Sequence, residues 1–132
     1  MLIVCGGVFA FLMFRTPKSF IELKEVIKNK SYDYIVACYG AGEEYVLSSN
    51  EAEELCSIIQ GSFEEEWIRE EKLYGGVTCW IQFKTANGEH LLSINLWEDR
   101  MEISYDFGKH LVNRSSGPQM YAYLKTLISE LP

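Results

Sequence analysis

The sequence is short of most things that would announce a chemistry. It holds only two histidines, His90 and His110, and neither is tied by a motif to a nucleophile. There is no G-x-S-x-G, P-loop, dinucleotide fingerprint, H-E-x-x-H or calcium-loop pattern, which removes the usual sequence grounds for hydrolase, nucleotide or metal chemistry. Its four cysteines, Cys5, Cys38, Cys56 and Cys79, form no C-x-x-C pair and lie among apolar neighbours, where small buried hydrophobes belong. One bridge among Cys38, Cys56 and Cys79 stays open. No cofactor and no metal are expected.

Basic charge is scarce too. Nineteen acidic residues face twelve Lys and Arg for a net charge of -7, and removing Arg15 and Lys18 of the first 18 residues leaves -9 for the rest. Between Glu43 and Glu71 there are ten carboxylates, with Arg69 as the only base. Such a chain repels phosphate backbones, so nucleic acid is excluded as a partner. A protein partner fits, a basic one best, although a run of charge is more often a solvated face. Glu64-Glu65-Glu66 lacks the glycine and carbonyl spacing of a calcium site, and Glu98-Asp99 falls where a strand turn expects such residues.

What is present begins with "MLIVCGGVFAFLMF". The run is shorter than the roughly 20 apolar residues of a membrane span, lacks the basic start and small-residue cleavage site of a signal peptide, and has no polar face. Residues 2–14 therefore read as a single-pass membrane anchor, complete only if the written start is an internal methionine. Arg15, Lys18, Lys24, Lys28 and Lys30 follow the segment, and as written they hold the domain on the cytoplasmic side. A longer start would favour the outside. Residues 15–18 read as a linker, and residues 19–132 as a single domain, long enough for a proper core.

The remainder carries the marks of an α+β fold: a mostly antiparallel sheet, including a three-strand meander over 77–106, with helices packed on one face. Ser19 and Glu22 have capping-box spacing at the head of a first helix ending near Asn29. "YDYIVACYG" and "EEYVLSS" read as a hairpin turning at Gly40-Ala41-Gly42. Asn50 and Glu53 suggest a second capping box, for a helix stopping at Gly61. Residues 62–74 fit an edge strand, and Gly117-Pro118 opens a last helix with Met120, Leu124, Leu127, Ile128 and Leu131 along one stripe.

Asn87-Gly88 predicts a two-residue type I′ turn between the first two meander strands. That turn sets Phe83 against Leu92, Ile81 against Ile94 and Cys79 against Leu96, all on the core side with Met101, Ile103 and Tyr105. The other face then carries Thr78, Trp80, Gln82, Lys84, Leu91, Ser93, Asn95, Trp97, Glu102, Ser104 and Asp106. Trp80, Trp97, Gln82, Lys84, Asn95 and Ser93 make the candidate binding patch, two rigid rings set among amides and hydroxyls. Burial of both rings under another part of the fold is an equally good account of them. His90 beside a turn and His110 in a loop are the weaker candidates for a general base. Asn29 and Asn113 each begin a glycosylation sequon.

Three functions remain: a membrane-tethered, non-catalytic interaction domain; a small acidic, soluble inhibitor or toxin-neutralising protein; and, least supported, a small hydrolase.

Overall fold

A computed structural model describes residues 17–71 and 79–132. The apolar residues 2–14, the linker through Thr16, and Thr78 of the meander lie outside the described residues.

Among these residues seven strands form one sheet in the order β2-β1-β4-β5-β6-β7-β3, with every neighbouring pair antiparallel. They are β1 (Tyr34–Tyr39), β2 (Glu43–Val46), β3 (Ile68–Glu71), β4 (Cys79–Lys84), β5 (His90–Trp97), β6 (Arg100–Asp106) and β7 (Lys109–Asn113). Among the described residues three helices complete the α+β fold: α1 (Lys18–Asn29), α2 (Ser49–Ser62) and α3 (Gly117–Leu127).

Alternation decides which face is the core. Ile35 and Ala37, then Cys79, Ile81 and Phe83, Ile94 and Leu96, Met101 and Ile103, and Leu111 are buried in one cluster with the apolar stripes of all three helices. Those stripes are Phe20, Leu23 and Ile27 of α1; Ala52, Leu55 and Ile59 of α2; and Met120, Tyr121 and Leu124 of α3. Each fully buried Leu, Ile or Phe contributes about 1.5–3 kcal/mol, so this shared cluster is the main stabilising term. α1 and α3 lie against β6, α3 also meets β5, and α2 meets β1. Gly117 begins α3 because nothing larger fits: a Cβ there would stand 2.4 Å from the Met101 amide nitrogen.

Several local expectations are corrected. α1 begins at Lys18, with Pro17 as N-cap and no side-chain cap bond, so Ser19 is inside the helix rather than capping it, and Lys18 is not linker. α2 is capped two residues early, at Ser48. The Ser48 hydroxyl accepts from the Glu51 amide at 3.2 Å, and the Glu51 carboxylate accepts from the Ser48 amide at 2.8 Å. Leu47 and Ala52, at the two positions of a hydrophobic staple, are both buried, and that fixes the earlier start. The helix runs through Gly61 to Ser62. In the 62–74 stretch, of which 72–74 lie outside the described residues, the strand begins only at Ile68, while Phe63 and Trp67 precede it and pack near Phe20. α3 ends at Leu127; Ile128 and Leu131 are buried just beyond it.

The meander has the expected pairing, reached by another route. Cys79 faces Leu96, Ile81 faces Ile94 and Phe83 faces Leu92. The turn is not a two-residue type I′. Thr85 N–H bonds the Glu89 carbonyl at 3.0 Å, and Gly88 N–H bonds the Thr85 carbonyl at 2.9 Å, closing a three-residue loop. Only Gly88, at φ +82, takes the left-handed region there; Asn87 does not. The extra loop residue shifts Lys84 onto His90, and a bulge at Leu91 shifts the pairing back. The next turn is centred on Glu98-Asp99, with Trp97 opposite Arg100. β7 is the strand the sequence did not announce: His110 lies on it, not in a loop.

Candidate functional site

All six patch residues lie on the face of the sheet opposite the core, and no helix among the described residues packs on that face. Trp80 sits opposite Asn95 on one side and Cys38 on the other. Gln82 faces Ser93, and Trp97 is diagonal to Trp80, two strand positions along β5 from Asn95. Lys84 faces His90 rather than Leu91, the one displacement the bulge causes. Every one of the six is half-buried, so the strands hold these side chains with part of each in solvent. Val36 and Cys38 on the same face are buried at 2 % and 4 % exposure, and Val46 at the end of β2 is 58 % exposed.

The two tryptophans differ in company. The guanidinium of Arg100 stacks over the Trp97 ring, 4.1 Å from its centre. Arg100 also bonds Asp99 at 2.8 Å and places Nε 4.0 Å from the Glu102 carboxylate. Glu102, at 1 % exposure, in turn lies 3.3 Å from Nδ1 of His110. Burial is the main cause raising the Glu102 pKa, opposed by the charges of His110 and Arg100 and by a bond from Asn95. Beyond His110 the register places Glu70 of β3, which is bound by both terminal nitrogens of Arg114. A line of ionic groups therefore crosses β6, β7 and β3 beside the Trp97 half of the patch. Sequence reading placed Glu102 and Ser104 on this face but missed the line, because half its members depend on the unread strand β7.

His110 is the natural place to look for catalysis. Ser104 Oγ lies 2.9 Å from Nδ1, and the Glu102 carboxylate approaches the same nitrogen. A nucleophile relay needs the two partners on opposite ring nitrogens, so that one proton is taken while the other is held. This arrangement orders the imidazole and cannot pass a proton from Ser104 toward Glu102. His90 is exposed at the head of β5, away from His110.

The thiols are equally unsuited to nucleophilic work. Cys38, Cys56 and Cys79 are free, and burial raises each pKa, that of Cys79 to about 12. Cys38 and Cys79 point to opposite faces of the sheet, and Cys56 shares a bond with the Tyr32 hydroxyl at 3.2 Å. Among the described residues no group of three or more His, Cys, Asp or Glu side chains converges as a metal site.

The acidic stretch is divided by the fold. Glu43 and Glu44 lie on β2 and Glu70 and Glu71 on β3, which are the two outer strands. Several of its carboxylates are committed internally. Glu51 closes the α2 cap and accepts from the Tyr45 hydroxyl at 2.9 Å. Glu65 accepts from Ser116 Oγ at 2.6 Å and Asn113 Nδ2 at 3.1 Å, bonds that lower its pKa. The Asn113 side chain is fully buried, its Oδ1 receiving the backbone amides of Ser115, Ser116 and Gly117, so this sequon serves as a cap for α3.

The class these features define is an α+β domain with a one-sided core and a half-open sheet face. Set against protein-family models, curated proteins and solved structures, the chain gives no significant match.

Proposed function

We propose that this chain is a non-catalytic binding module that receives a protein partner on the sheet face opposite its core, with residues 2–14 tethering it to a membrane. The observation that carries the reading is the joint placement of Trp80, Gln82, Lys84, Ser93, Asn95 and Trp97, half-buried, on one strand-built surface. Strands hold rings and amides at fixed spacing, so little side-chain order has to be gained on binding. Trp80 is the anchor, since Arg100 already lies over Trp97.

The test is in-cell crosslinking from position 84, followed by measurement of the recovered partner's affinity for Trp80→Ala. The variant should keep its thermal midpoint and lose about 10-fold or more in affinity, the scale of a buried aromatic. Loss of the fold in Trp80→Ala would instead make the ring a core element and remove the patch. Fractionation tests the tether: the full chain should pellet with membranes and be released by detergent but not by salt. Recovery in the soluble fraction would favour the acidic inhibitor.

A further inference from the structure

The most exposed large apolar side chain among the described residues is neither on the patch nor scattered on a helix. It is Phe107, 86 % exposed, at the tip of the β6–β7 hairpin. Asp106 faces Lys109 across the hairpin, so Phe107 and Gly108 are the whole turn. Gly108 takes φ +71, which only glycine adopts freely, and Asp106 Oδ1 accepts the Phe107 amide at 2.8 Å. Two residues before the tip, Tyr105 packs against the core at a register shift. The base of the hairpin is therefore fixed.

The turn's conformational demands are met entirely by Asp106 and Gly108. The position Phe107 occupies, with negative φ, accepts Pro, Ser, Asp or Lys as readily. An aromatic ring there contributes nothing to the turn and exposes its full apolar area to water. Single exposed apolar residues are common, but nearly complete exposure of a large ring on a fixed turn is not explained by the fold.

We propose that Phe107 is an anchor by which the β6–β7 tip enters an apolar pocket on a protein partner. The inference rests on the binding-module reading and adds a second contact to it. Charge narrows the partner. Asp106 flanks the ring on one side, Lys109 on the other, and Glu71 of β3 pairs with Lys109 in the register. Among the described residues two acids and one base surround the knob, which suits a pocket with a basic rim. The same surround, on a chain of net charge -7, opposes both an anionic lipid surface and a second copy of this chain.

The experiment places the photo-crosslinking residue p-benzoylphenylalanine at position 107 of the full chain, with position 86 on the neighbouring exposed hairpin tip as the control. Position 107 should give one discrete crosslinked protein that position 86 does not, attached within an apolar pocket of that protein. With that partner purified, Phe107→Ser should weaken binding by about 10- to 100-fold, while Phe107→Leu stays within a few-fold of wild type. Equal patterns at 107 and 86, attachment to lipid, a crosslinked dimer of this chain, or unchanged affinity in Phe107→Ser would each overturn the proposal. If Trp80→Ala loses the partner and Phe107→Ser does not, the sheet-face reading stands and this one falls. Loss with Phe107→Ser alone does the reverse.

Discussion

Arg100 sets its guanidinium over the Trp97 ring while its charge is shared with Asp99 and the buried Glu102. One side chain thus covers an aromatic face and compensates a carboxylate with almost no access to water. Replacing it by methionine keeps the apolar stem and removes the charge. Arg100→Met should destabilise the domain by about 1–3 kcal/mol, below the full cost of a broken buried pair because His110 and Asn95 still meet Glu102. Urea denaturation at pH 7 gives the number, and adding Glu102→Gln to the same chain should return most of it. Failure of the second substitution to recover stability would mean that the stacking, not the charge, is what Arg100 supplies.

Glu102 gives the fold an unusual response to acid. Burial raises its pKa, so the folded chain holds this proton to higher pH than the unfolded chain does. Between the ordinary carboxylate value and that raised value the folded state binds more protons. Stability from this group is therefore gained as pH falls through the raised pKa, and is lost as pH rises through it. Glu102→Gln removes the dependence. Its thermal midpoint relative to wild type should be more favourable at pH 8 than at pH 5. The opposite order in a pair of melting curves would show that the ion pairs with Arg100 and His110 outweigh burial.

The bulge at Leu91 makes a sharp prediction about deletions. Lys84 faces His90 and Phe83 faces Leu92, so Leu91 is extra to the pairing on both sides. Removing it leaves every core residue of β4 and β5 on its present face, and should cost no more than about 1 kcal/mol. Removing Asn95 instead, even with Leu91 taken up into the pairing, would put Ser93 in the core position of Ile94 and Ile94 on the wet face, and should cost several times more. Circular dichroism and urea curves on the two deletions distinguish them.

Much of this was legible in the sequence where one physical requirement dominates. Alternation in 79–83, 92–96 and 101–103 encodes a sheet with one wet and one dry face, and it identified the core pairs correctly even though the loop at 85–89 differs in length. The bulge could not be read, because a loop residue and a bulge residue cancel in the final register. β7 was missed for a different reason: His110, Leu111, Val112 and Asn113 are all buried, so there is no alternation to see. Without β7, the neighbours that bury Glu102 and order His110 were also invisible. The α2 cap was ambiguous because Ser48 with Glu51 and Asn50 with Glu53 both have the spacing. The tertiary contacts of Leu47, and of Tyr45 with Glu51, chose between them.

Among the described residues the two strands that end the sheet each carry a pair of adjacent glutamates, Glu43-Glu44 on β2 and Glu70-Glu71 on β3. Strands in that position are where a sheet would recruit further chains and grow without limit. Placing like charges there keeps one molecule's border from zippering to another's. Ionised carboxylates there oppose pairing with a second chain, so growth of fibres from these borders should be slower at neutral than at acid pH.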